Sequence, residues 1–92
     1  MMYRLDIKSD EVAKILGLNQ STARRHLRTL RNSCNKTKHQ VITIAEFCIF
    51  YDLSYKIIFC QINKLKNQDY DKKVEEGHII IPKEVAINQA TY

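Results

Sequence analysis

The chain has 92 residues, 45% hydrophobic and 27% charged, with two Gly and one Pro, so one small globular domain is expected rather than a disordered segment. Its net charge is +5, and its longest apolar-rich run, Ile44 to Leu53, is interrupted by Glu46 and Asp52 and is too short to span a membrane. Cys34, Cys48 and Cys60, an odd set with no CxxC pair, argue against a disulfide framework or zinc ribbon and suggest a reducing, cytoplasmic setting, and the Met-Met-Tyr-Arg-Leu-Asp-Ile-Lys start has no apolar core of signal-peptide length.

The charge is unevenly placed. No acidic residue lies between Val12 and Ala45, while Lys14, Arg24, Arg25, Arg28, Arg31, Lys36 and Lys38 give that stretch a local charge of +7. The flanks are close to neutral. Positive charge concentrated in this way points to a polyanion partner, most simply DNA. A chain of this size buries only about 60–65% of its unfolded surface, so a partner subunit would add to its stability.

Tyr3 to Ile7 alternates apolar and polar residues, which suggests a short strand or extended lead-in. Ser9 is a good N-cap, and Asp10 and Glu11 suit the positive end of a helix carrying Val12, Ala13, Ile15 and Leu16. Gly17 can take the positive φ that ends this helix, Leu18 is a core residue of the turn, and Asn19 can cap the next helix. The second helix runs from Gln20 to about Asn32. Ala23, Leu27, Leu30 and Cys34 recur at i, i+4, i+7 and i+11, one apolar face at helical period. Ser21, Arg25, Arg28 and Asn32 lie opposite, flanked by Arg24 and Arg31. A face needed only for solubility would mix signs. Here Arg24 repels Arg28 and Arg28 repels Arg31, by about a few tenths of a kcal/mol each, which implies another requirement on these positions.

Residues 33–40 are polar, and Gln40 to Thr43 is short, β-branched and apolar, which suggests a small β-hairpin with its basic tip near Asn35 to Lys38. Thr43-Ile44-Ala45-Glu46 is a capping box that starts a new helix at Ile44. That helix has Ile44, Phe47, Cys48 and Tyr51 on one side and Ile49, Phe50 and Leu53 on the other, so it is expected between two layers. Ser54 caps a further helix, about Tyr55 to Lys66, with Ile58, Ile62 and Leu65 inward. Asn67 to Gly77 reads as a charged loop or linker, His78-Ile79-Ile80-Ile81 as a short strand closed by Pro82, and residues 83–92 as a loose tail.

The run Asp10-Glu11-Val12-Ala13-Lys14-Ile15-Leu16-Gly17-Leu18-Asn19-Gln20-Ser21-Thr22-Ala23-Arg24-Arg25 resembles the helix-turn-helix of prokaryotic regulators, with Ala13, Leu16, Gly17 and Leu18 at that motif's spacings. The hairpin and the helix opening at Thr43-Ile44-Ala45-Glu46-Phe47 resemble the wing and second helix pair of the excisionase and MerR-like winged-helix group, often found in phages and other mobile elements. The resemblance covers residues 3 to about 55. It departs at Ala23, where a β-branched residue is usual, and at His26, where an aliphatic residue is typical.

The resemblance implies a winged helix-turn-helix with a small β-hairpin wing; with the C-terminal helix plus short strand read from the residues themselves, the fold expected is mainly α. Residues 1–66 would form the DNA-binding domain, and residues 67–92 a polar linker, short strand and tail open to dimerisation. It also implies sequence-specific binding to double-stranded DNA by a transcriptional regulator or excisionase-like factor. The second helix would lie in the major groove, with Gln20, Ser21, Arg24, Arg25 and Arg28 toward base edges and Arg31 completing the basic set. Lys36, Lys38 and His39 would approach phosphate or the adjacent minor groove.

Competing readings stay open. The arginine face could be a solvated surface, Lys36 and Lys38 a plain polar turn, and the whole chain an interaction adaptor that kept the fold without binding DNA. His26, His39 and Cys34 could be metal ligands, but a fourth ligand is missing, and no metal or cofactor is expected. Phe47, Phe50, Tyr51, Tyr55 and Phe59 could stack on bases, although their helical spacing favours a core. Asp69, Asp71, Glu75 and Glu76 cluster, but Lys72 and Lys73 stand between them and no Gly-rich phosphate loop, HExxH motif or nucleophile elbow occurs, so no enzyme is expected. Surplus apolar surface at Ile49, Phe50 and Leu53 and at Ile79 to Ile81 suggests a homodimer through the C-terminal third, unless the last helix and strand fold back over it within one subunit.

Overall fold

The computed structural model describes residues 3–37 and 39–88. Capping chemistry sets the first two helices. Lys8, in extended backbone, precedes α1 (Ser9–Leu16), and its N–H donates to Glu11 Oε1 at 2.8 Å. The cap thus falls one residue before Ser9, whose hydroxyl instead accepts from Gln20 Nε2 at 2.7 Å. Gly17 turns left-handed at φ 67° to end α1, and Leu18 N–H reaches back to the Ala13 carbonyl at 2.9 Å. Asn19 Oδ1 then accepts from Thr22 N–H at 2.8 Å, and α2 (Gln20–Ser33) begins. α1 packs on α2, and Val12, Ala23, Leu27 and Leu30 are buried.

The lead-in forms β1 (Asp6–Ile7), which pairs antiparallel with β2 (Ile42–Thr43); Asp6 faces Thr43 and Ile7 faces Ile42. The architecture is therefore the expected one, mainly helical with a small two-stranded antiparallel sheet. The partner of β2 is the lead-in, so the segment between α2 and β2 is a loop. Ile7 offers Ile42 a buried apolar cross-strand partner, whereas Asn35, at φ 56°, breaks the extended backbone. Within that loop Thr37 N–H donates to Gln40 Oε1 at 2.9 Å and Gln40 N–H to the Thr37 carbonyl at 3.1 Å. Lys38 lies outside the described residues.

The chain divides into two compact units, Asp6–Thr43 and a second made of the residues up to Leu5 with the chain from Ile44 onward. The second unit holds α3 (Ile44–Tyr51), α4 (Tyr55–Asn63), α5 (Asn67–Glu75) and α6 (Lys83–Asn88). α4 packs on α3 and α5, and α6 packs on α3. Phe59 is its centre, with ring centroids 5.7 Å from Tyr3, 5.5 Å from Tyr55 and 5.6 Å from Tyr70. Asn63 ties in the N-terminal residues: Oδ1 accepts from Arg4 N–H at 2.8 Å, and Nδ2 donates to the Arg4 carbonyl at 3.1 Å. Ser54 caps α4 as expected, through a long contact of 3.4 Å from Ile57 N–H, but the helix ends at Asn63, where Lys64 turns left-handed at φ 54°.

Three C-terminal expectations are corrected. Residues 67–75 are helix, not linker: Tyr70 is buried, Val74 is half-buried one turn on, and Asp69 and Lys72 and Lys73 sit at the ends that the helix dipole favours. His78–Ile81 is not a strand, because the His78 and Ile79 N–H groups both bond the Lys73 carbonyl and close α5. Residues 83–88 are not a loose tail but α6, with Val85 buried; the last four residues lie outside the described set. Burial pushes the Tyr70 phenol and the Cys48 thiol each up to about 12, so both remain neutral in the fold at physiological pH.

Since Tyr70 closes the aromatic cluster from α5, Tyr70→Ala should lower the unfolding free energy by about 3–5 kcal/mol in a urea titration. A loss under about 1 kcal/mol, the range of an ordinary surface change, would restore the linker description of residues 67–77.

Candidate nucleic-acid interface

The basic residues stand on the unit Asp6–Thr43, and α2 positions most of them. Its inward face is narrow. Ala23 and Leu30 have no exposed surface and Leu27 only 5%. A helix advances about 100° per residue, so these anchors set the direction of every other side chain on it. Ser21, Arg25 and Asn32 fall opposite the anchors and are exposed. Arg24, Arg28 and Arg31 fall on one flank and line a cleft of about 500 Å³, whose other wall includes Asp6 and Lys8 and whose apolar lining includes Ile7, Leu27 and Val41.

The expected contact residues differ in how free they are. Arg24 and Arg28 are exposed and make no hydrogen bond or ion pair among the described residues. Arg25 Nη2 lies 3.4 Å from Thr22 Oγ1, a weak contact that leaves the guanidinium in solvent. Arg31 is half-buried and donates from Nε to the Gln40 carbonyl at 3.2 Å, which fixes the α2–β2 loop to the helix. Lys36 is also half-buried, with Nζ donating to the Val41 carbonyl at 2.8 Å. Gln20 is exposed, but its amide is held by Ser9, and Ser21 and His39 are exposed. The structure therefore brings Arg24, Arg28 and Arg31 together and sets Arg25 on a different face.

Lys8 is a member of this surface that the motif did not reveal. It belongs to the same cleft because β1 pairs with β2 and carries the start of α1 alongside α2. Its only signal in the sequence is the alternation Asp6-Ile7-Lys8, which puts Ile7 inward and its neighbours outward.

Among the described residues no three His, Cys, Asp or Glu side chains approach closely enough to hold a metal ion. His26 is half-buried and Cys34 follows the end of α2. Phe47, Tyr55 and Phe59 are buried core residues, while Phe50 is 47% exposed. No helix among the described residues is long and apolar enough to cross a membrane.

A family model described as the bacterial regulatory protein, arsR family, matches residues 8–33, the segment that spans α1, the turn and all of α2. No curated protein and no solved structure matches the chain. The fold and this match together show a helix-turn-helix, the motif that bacterial DNA-binding regulators carry.

The direction of the α2 arginines depends on how firmly the helix start is held. Asn19→Ala should lower the unfolding free energy by about 1 kcal/mol and Asn19→Asp by much less, because Asp keeps the acceptor for Thr22 N–H. Equal stability of the Ala variant and the wild type in thermal denaturation would show that the cap does not hold α2.

Proposed function

We propose that the chain is a sequence-specific double-stranded DNA-binding protein, acting as a transcriptional regulator or excisionase-like factor of a prokaryote or mobile element. The observation that carries this is the exposed cationic surface of α2. Arg24, Arg25 and Arg28 stand in solvent within a stretch that has no acidic residue from Val12 to Ala45. Packing explains the inner face of that helix but supplies no reason for an outer one whose every charge is positive. A polyanion does. α2 would enter the major groove, with Gln20, Ser21, Arg24, Arg25, Arg28 and Arg31 as the contact set, and the loop bearing Lys36 and His39 would lie against the backbone beside it.

A pool of random duplexes tests this reading. Repeated selection with the purified chain should enrich a short motif, and binding should weaken steeply as salt rises. No retention of any duplex at low salt would contradict the proposal and leave an interaction adaptor on the same fold.

The second part of the proposal is pairing. One recognition helix reads few base pairs, and dimers of such proteins bind half-sites about one helical turn apart. In the unit that carries α3 to α6, Ile79 and Val85 are buried within the subunit, but Ile80 is 80% exposed and Ile81 40% exposed. A homodimer through the C-terminal third would cover such surface. Light scattering of the intact chain should give a dimer, and Ile80→Lys should shift it to a monomer without loss of helical signal. A monomer for the intact chain at tens of micromolar would remove this part.

A further inference from the structure

We propose that α2 carries two cationic sets with separate tasks: Arg24, Arg28 and Arg31, with Lys8 across the cleft, seat one backbone phosphate of bound DNA, while Arg25 reads a base. The inference rests on the DNA-binding reading above and names which contact does what.

Arg24, Arg28 and Arg31 stand at i, i+4 and i+7, so they form one row along the helix flank, and all three line the same cleft. Lys8 faces them from the start of α1, and the one carboxylate in the lining is that of Asp6. Four cations against one anion leave the cleft strongly positive. Arg24 and Arg28 have no partner among the described residues, so their guanidinium groups can each turn a pair of N–H donors on one anion. Arg31 is held through Nε to the Gln40 carbonyl at 3.2 Å, which fixes the position of its remaining nitrogens at one end of the row.

Shape separates a phosphate from a base here. A base edge is read by a side chain standing out from a convex helix face into the groove. The row lies instead beside a concavity of about 500 Å³ with Ile7, Leu27 and Val41 in its lining. A phosphodiester suits the charged wall, and its deoxyribose suits the apolar part. Arg25 has the opposite setting, on the outward face between Ser21 and Asn32 at helical spacing, with only Thr22 Oγ1 at 3.4 Å.

The test uses the full-length chain, a duplex it selects, and copies carrying one neutral methylphosphonate at each backbone position in turn. Wild type should lose affinity sharply at one such position. Arg28→Ala should weaken binding to every duplex alike by about tenfold, flatten the log–log salt slope by about 0.9, and lose little more at that methylphosphonate position. Arg25→Ala should leave the methylphosphonate profile intact and relax preference at one base pair. Inorganic phosphate should compete no better than chloride at equal ionic strength, because the seat is for a phosphate presented by a duplex. Circular dichroism of each variant confirms that it is folded. Duplex binding in which Arg28→Ala changes base preference but not salt slope overturns the assignment alone. Duplex binding in which both variants behave as wild type does the same. No duplex binding by wild type overturns the DNA reading and the phosphate seat with it.

Discussion

Burial of Ala23, Leu27 and Leu30 sets the rotation of α2, and nearly everything else about the cationic surface depends on that rotation. Removing a leucine side chain from water stabilises by about 1.5–3 kcal/mol, whereas each like-charge pair on the flank costs about a few tenths. Packing therefore wins, and the helix tolerates Arg24, Arg28 and Arg31 in a row. The small Ala23 matters as much as the leucines. It has no exposed surface, so its methyl is packed on every side and a larger residue there would crowd its neighbours.

The rest of the chain is built on a different balance. From Ile44 onward the charges nearly cancel, and stability comes from an aromatic cluster around Phe59, on α4. Asn63, on the same helix, pairs with both backbone groups of Arg4, so one helix holds the N-terminal residues as well as the aromatic core. Lys56 and Asp71 bridge α4 and α5 at 2.9 Å, but both are substantially exposed, and such a pair adds at most about 1 kcal/mol. The aromatic cluster thus outweighs this ion pair in the unit. The basic stretch is left to carry the polar chemistry.

What could be read from the sequence was what local physics decides. The end of α1 at Gly17, the Asn19 cap and the buried face of α2 follow from neighbours within a few residues, and the structure has them where the pattern put them. The Ser54 cap and the start of α3 at Ile44 are local in the same sense. Long-range pairing was not legible. That the lead-in is the partner of β2 depends on residues far apart in the chain, Asp6 with Thr43 and Ile7 with Ile42, and with it went the membership of Lys8 in the cleft. α5 escaped notice because only Tyr70 is buried and Val74 half-buried in nine residues, a weak apolar signal that tertiary packing supplements. The isoleucines at 79–81 have strand composition, yet a strand needs a neighbouring edge, and the backbone donors of His78 and Ile79 are spent on α5.

The central claim is that the outward and flank surfaces of α2 meet duplex DNA, and amide NMR on the titrated chain tests it most directly. Adding a selected duplex should move the resonances of Ser21 to Asn32 and of Lys8, while those of α4 and α5 stay nearly still. Shifts confined to α4, α5 and α6, with α2 unmoved at saturation, would contradict the claim.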